Sequence, residues 1–189
     1  TTTTTTHTVW SHLRVPSDAL CSIASTYECT GYRLPTEAEW VYASRYEAGK
    51  RAVSSPLKYP WGASMPPVAR SGNYADIASS GLVPISMQGY SDGFRRSAPV
   101  ASFAANAHGI RDLGGNVAEW VNDFYDASVG GRKLARDPAG PLSGRFRVVR
   151  GASWRHGSIT ELRLSYRDYS EDKRDDIGFR IARYAQTSD

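Results

Sequence analysis

"RLPTEAEWVYASRYEA", residues 33–48, carries its own instructions for a helix. Thr36 followed three residues later by Glu39 is a capping box. The hydroxyl can accept from the backbone N–H of residue 39 while the carboxylate reaches back to the N–H of Thr36. Gly49 lies just past the end, where a left-handed stop is needed. Trp40, Val41 and Ala43–Ser44 supply an inner face, so the stretch predicts a helix over 36–48 that buries a Trp. Upstream, "SDALCSIASTYECTG" (17–31) has Ser17 or Asp18 as N-cap and Gly31 as terminator, which predicts a helix over 17–30. A third, shorter helix is expected to start in "GGNVAEWVNDFYD" (114–126).

Outside these stretches Gly, Pro, Asn, Asp and Ser punctuate short extended pieces. "RFRVVRGASW" (145–154) and "IGFRIARY" (177–184) read as strands. Phe146, Val148 and Val149 break strict alternation, as residues near a bulge do. Between Arg51 and Val100 little regular structure is expected. A loop region of that length inside a compact domain needs something to staple it, such as a bound metal.

The 189 residues suit one domain. We take residues 1–16 and 185–189 as tails around a domain at 17–184; the opening threonine tract has neither periodicity nor apolar content. With 40% hydrophobic residues and five Trp the chain can bury a core. No stretch approaches the apolar length of a membrane span. The net charge of +4 is nearly all arginine, since Lys50, Lys58, Lys133 and Lys173 are the only lysines. Those arginines alternate with apolar residues or sit beside acids, as in "RDYSEDKRDD" (167–176). Carboxylate pairing explains that pattern better than a phosphate track, so no nucleic-acid partner is expected. Cys21 and Cys29, eight positions apart on the expected first helix, would lie ~12 Å apart and remain separate thiols unless the helix breaks.

Seven pieces, in order and in register, resemble one family: "GYRLPTEAEWVYASR", "YPWG", "GNYADI", "SDGF", "APV", "GIRDLGGNVAEWVND" and "RVVRGASW" leading to "DDIGFRIAR". In this order the chain resembles the formylglycine-generating enzyme/sulfatase-modifying-factor domain, from about Ser17 to Tyr184. The resemblance implies an α+β, loop-rich, C-type-lectin-like fold, with the two main helices packed on short antiparallel strands. By the same resemblance the chain corresponds to the C-terminal two-thirds of such a domain and is extracytoplasmic, periplasmic or at the surface. It also leaves open that the chain is a piece of a larger enzyme or receptor.

Two stretches have the composition of hard-cation sites: Asp76 and Asp92 bracket "IASSGLVPISMQGYS", and Asp112 and Glu119 bracket "LGGNVA". Calcium takes six to eight oxygens, which carboxylates and the carbonyls of glycine-rich loops can supply. The resemblance implies one or two structural calcium ions here. The first would take the Asp76 and Asp92 side chains with the carbonyls of Ile77 and Phe94. The second would take the Asp112 and Glu119 side chains with the carbonyls of Gly115 and Val117. The bland alternative is that these acids cap and turn the backbone.

Enzymes of the resembled family oxidise a substrate cysteine with a copper(I)-binding cysteine pair placed shortly after the "GGS-aromatic" turn. At the matching positions this chain has His156 and Glu161, and soft copper(I) selects thiolates over such ligands. No copper is expected, and we assign no catalytic residue. Trp154, Arg155, His156, Arg163, Tyr166, Arg167 and Tyr169 have the character of interface hot spots, although core packing of the C-terminal strands is the plain alternative for some. The sequence therefore points to a non-catalytic binding or scaffold module, with a protein partner or larger assembly and an oligomeric state left open. The alternative is an oxidoreductase of the sulfatase-modifying-factor type that acts on a protein or peptide through a non-thiol metal site.

Overall fold

The computed structural model describes residues 2–6, 27, 29, 31–45, 57–127 and 136–184. Five strands, β1 (Thr2–Thr6), β2 (Ala118–Phe124), β3 (Arg147–Arg150), β4 (Arg167–Ser170) and β5 (Ile177–Tyr184), form one mixed sheet in the order β1-β5-β2-β3-β4. β2 runs parallel to β5 and antiparallel to β3, and β3 pairs antiparallel with β4. The sheet is therefore not purely antiparallel. Thr2–Thr6 pairs with β5, Thr2 opposite Tyr184, where the composition suggested an irregular tail; threonine's β-branched side chain favours extended backbone.

Among the described residues there is one α-helix, α1 (Glu37–Arg45). Its start follows from local chemistry: the Thr36 hydroxyl accepts from Glu39 N at 3.2 Å, and the Glu39 carboxylate accepts from Thr36 N at 2.8 Å. Arg33 grips the same carboxylate with two N–H bonds of 2.6 and 2.7 Å. Asp123 of β2 supports the helix entrance by accepting from Glu37 N at 2.6 Å. The Glu37 carboxylate in turn pairs with Arg167 of β4. The expected residues 46–48 of this helix lie outside the described residues.

Two expectations need correction. The helix placed at 114–126 is the strand β2. This strand lies between β5 and β3, most of its residues are buried, and tertiary pairing overrides the helix-like composition of "VAEWVND". A register shift does lie beside "RFRVVR": the extra residues are on β2, between Trp120 (opposite Val149) and Phe124 (opposite Arg147). The second correction concerns the helix at 17–30. Most of it lies outside the described residues, but its expected end does not hold: residue 27 is in a turn, 29 is irregular and 31 is a bend. Cys29 is disulfide-bonded; the chain's other cysteine, Cys21, lies outside the described residues. The separate-thiol reading assumed an unbroken helix through both positions.

One core cluster gathers Trp40, Leu113, Val121, Val148 and Leu164 between α1 and the sheet. A second gathers Tyr59, Tyr74, Tyr90, Ala152 and Leu162 among the loops. The loops are held by side chains where ladders are absent. Asn116, buried, accepts from Ala98 N at 2.8 Å and donates to Ala98 O at 3.1 Å, while its backbone bonds to Asn73 and Trp154. Buried backbone groups must be paired, and these asparagines do the pairing. Gly151 turns the chain from β3 toward residues 152–154 at φ +81, where a Cβ would meet Trp40 at 3.1 Å.

Candidate functional site

Asp76 and Asp92 come together. Asp76 is fully buried and caps a one-turn 3-10 helix at Ile77–Ser79, accepting from Ala78 N and Ser79 N. Its other oxygen accepts from Asp92 N at 2.6 Å. The Asp92 carboxylate accepts from Tyr74 N and Phe94 N. Burial first, and the neighbouring Asp76 charge as well, push the Asp92 carboxyl up to about 6 against the two backbone N–H bonds. The Ile77 carbonyl accepts from Ser80 N within the turn.

Asp112 sits at positive φ (59). One carboxylate oxygen accepts from Ala101 N at 2.7 Å; the other is buried without a hydrogen-bond partner. Burial raises its carboxyl above the ordinary range, with the Glu119 charge adding to the effect. Glu119 is committed elsewhere. Both its oxygens take Arg180 N–H groups at 2.5 Å, and one also takes Trp40 Nε1–H at 2.7 Å. The β2–β5 pairing places the two residues, Glu119 opposite Gly178. Among the described residues no three His, Cys, Asp or Glu side chains converge as a metal cluster.

The region after the "GASW" turn divides into core and surface. His156 is buried, its Nδ1 accepts from Ser153 N at 3.1 Å, and its ring meets Tyr166 edge-on. Burial pushes it below the ordinary imidazole range, and an Nδ1 that accepts leaves Nε2 as the ring's donor. Glu161 accepts from Ser158 N at 3.2 Å and from the Ser158 hydroxyl at 2.6 Å, a capping box on the turn at 158–162. Trp154 is only 2% exposed. Trp154 and His156 are thus interior residues, a correction to their assignment as contact residues: Arg96 and Arg155 lie over the Trp154 ring, and Tyr166 packs on His156. Ser153 Oγ and Arg174 both donate to Asp176, and Arg174 also donates to Asp168.

Arg155, Arg163 and Tyr169 remain exposed, and Tyr166 and Arg167 are half-buried. Arg167 stacks on Tyr125 while pairing with Glu37. Tyr169 stacks against Tyr125 and Phe146 on one side of a shallow cleft of ≈ 480 Å³ that Asp126 and Ser143 also line. The sequence reading missed Arg96 and Asp175, which join Arg155 in one exposed charged group; the adjacent pairs Arg95–Arg96 and Asp175–Asp176 were the available signal.

A family model for the sulfatase-modifying factor enzyme 1-like domain matches residues 10–185. The chain belongs to that family. Mouse formylglycine-generating enzyme is 38% identical over 128 residues, 67% of this chain and 32% of the mouse protein. The chain therefore spans about a third of the length of that curated relative. Among solved structures, Treponema denticola variable protein 1 superposes with a TM-score of 0.61 at 29% identity, covering 81% of this chain and 48% of that one. PvdO from Pseudomonas aeruginosa gives 0.60 at 27% identity, over 86% and 56% respectively. Among the described residues of this family member, no helix is long and apolar enough to cross a membrane.

Proposed function

We propose that this chain is a non-catalytic binding module of the sulfatase-modifying factor family. The observation that carries the proposal is the identity and engagement of residues 156 and 161. A copper(I) centre needs two thiolates, and here a buried imidazole whose Nδ1 accepts from the backbone and a turn-capping carboxylate stand at the matching positions. Both side chains already serve the loop's own structure. The partner would meet the exposed part of the C-terminal face, Arg155, Arg163, Tyr166, Arg167 and Tyr169, where Arg and Tyr provide anchors.

Structural calcium belongs to the same proposal. The adjacent carboxylates of buried Asp76 and half-buried Asp92, with the latter's carboxyl raised to about 6, fit a site that a divalent cation would neutralise. The unpartnered Asp112 oxygen fits a second ion, with the Gly115 and Val117 carbonyls as co-ligands. Glu119, neutralised by Arg180, fits less well as its fourth ligand. Bound calcium would supply charge compensation and loop order, not chemistry. An oxidising, extracytoplasmic compartment agrees with the disulfide at Cys29.

The test is copper stoichiometry together with turnover of a cysteine-containing sulfatase peptide; neither binding nor oxidation is expected. A second reading, an oxidoreductase with a non-thiol metal, draws on the 38% identity to a relative named for its enzymatic activity. Stoichiometric iron or copper in the purified protein would favour it.

A further inference from the structure

Trp154 is buried because two arginines roof it. The Arg155 guanidinium lies 4.7 Å from its ring centroid and that of Arg96 lies 5.5 Å away. These residues come from distant parts of the chain, and each is anchored by a fully buried polar side chain. Asn73 Nδ2 donates to Arg96 O at 2.7 Å, and Ser153 Oγ accepts from Arg155 N at 3.2 Å. Both guanidiniums face one exposed carboxylate, Asp175. Arg155 donates to it at 2.8 Å, while Arg96 stands off at 3.5 Å, beyond a good hydrogen bond. The Arg96 and Arg155 side chains are nevertheless 62% and 44% exposed.

We propose that Arg96 and Arg155, clamped about Trp154, form a binding point for the carboxylates of an acidic protein segment. Three features converge on it. Stacking on Trp154 has already restricted both guanidiniums, so less rotamer freedom is lost on binding. Among the described residues two positive charges face one negative charge here, so the pair keeps a positive excess. Asp175 shows that a carboxylate reaches these donors: Arg155 Nη2 already holds it at 2.8 Å, and the remaining guanidinium N–H groups suit a further carboxylate. The proposal deepens the binding-module reading and rests on it, by naming the partner's chemistry.

Fluorescence anisotropy of a labelled glutamate-rich peptide, titrated with the full chain at low salt, tests it. Arg96→Ala and Arg155→Ala should each weaken binding about five- to tenfold, the loss of one charge-assisted contact. Arg136→Ala, which removes one positive charge at a side chain 96% exposed, should change it less than about twofold. Circular dichroism confirms that the variants are folded. Equal weakening by Arg136→Ala would reduce the effect to net charge and overturn the proposal. So would absence of peptide binding, or equal competition by inorganic phosphate and by glutarate. The binding-module reading is judged separately by copper and turnover, so failure here leaves that result distinct.

Discussion

Asp123 shows how one buried acid sets a pH dependence. It is 4% exposed and accepts the first helical N–H of α1. Burial pushes its carboxyl up to about 6; the Glu37 N–H and Arg167 oppose this, and the Glu37 carboxylate adds to it. The folded chain therefore holds this proton more tightly than the unfolded chain does. Between about pH 4 and pH 6 the folded state binds more protons, and this group's contribution to stability falls as pH rises. Asn keeps an acceptor for Glu37 N–H and cannot ionise. Asp123→Asn should gain on the wild type by ~2–3 kcal/mol between pH 4 and pH 7, read from urea melts at both values. An unchanged difference would refute the assignment. Trp154→Ala belongs to the same scale. As a core residue its removal should cost ~3–5 kcal/mol, whereas a surface role would leave the melt nearly unmoved.

At the scale of elements, the loops need their asparagines. Asn116→Ala strands the N–H and C=O of buried Ala98 and should cost ~2–4 kcal/mol, measured by urea denaturation; a loss below ~0.5 kcal/mol would show the loop to be held otherwise. The start of α1 was legible in sequence because its signals are local: Thr36, Glu39 and Trp40 carry the cap and the buried face within five residues. β2 was not legible. Its state depends on β3 and β5, which lie far along the chain, and "VAEWVND" alone has the look of a helix. The same limit hid the Cys29 disulfide, since a spacing argument holds only for an unbroken helix. In the candidate site the pairing of Asp76 with Asp92 could be expected from the family pattern. The Arg180 clamp on Glu119 could not, because 61 residues separate them.

For the whole molecule, a long, ladder-poor loop region must be held by something besides sheet hydrogen bonds, and we assign part of that task to calcium. A ligand that binds only the folded state stabilises it by mass action. Excess chelator should lower the melting temperature, and Asp92→Ala should reproduce the effect and abolish the response to added calcium. A melting curve indifferent to chelation would end the calcium assignment. Asp92 is the better probe than Glu119, whose removal also strands the buried Arg180 and would cost stability with or without an ion.

The division between core and surface after Gly151 also governs function at this scale. Trp154 and His156 serve the interior, Glu161 serves its own turn, and Arg155, Arg163 and Tyr169 face outward. The central claim is that this family member binds and does not oxidise. The most direct measurement is to incubate the purified chain with copper(I) and a cysteine-containing sulfatase peptide under air, then determine protein-bound copper and the peptide's mass. We predict no stoichiometric copper and an unchanged cysteine. Copper-dependent conversion of that cysteine to formylglycine would contradict the account.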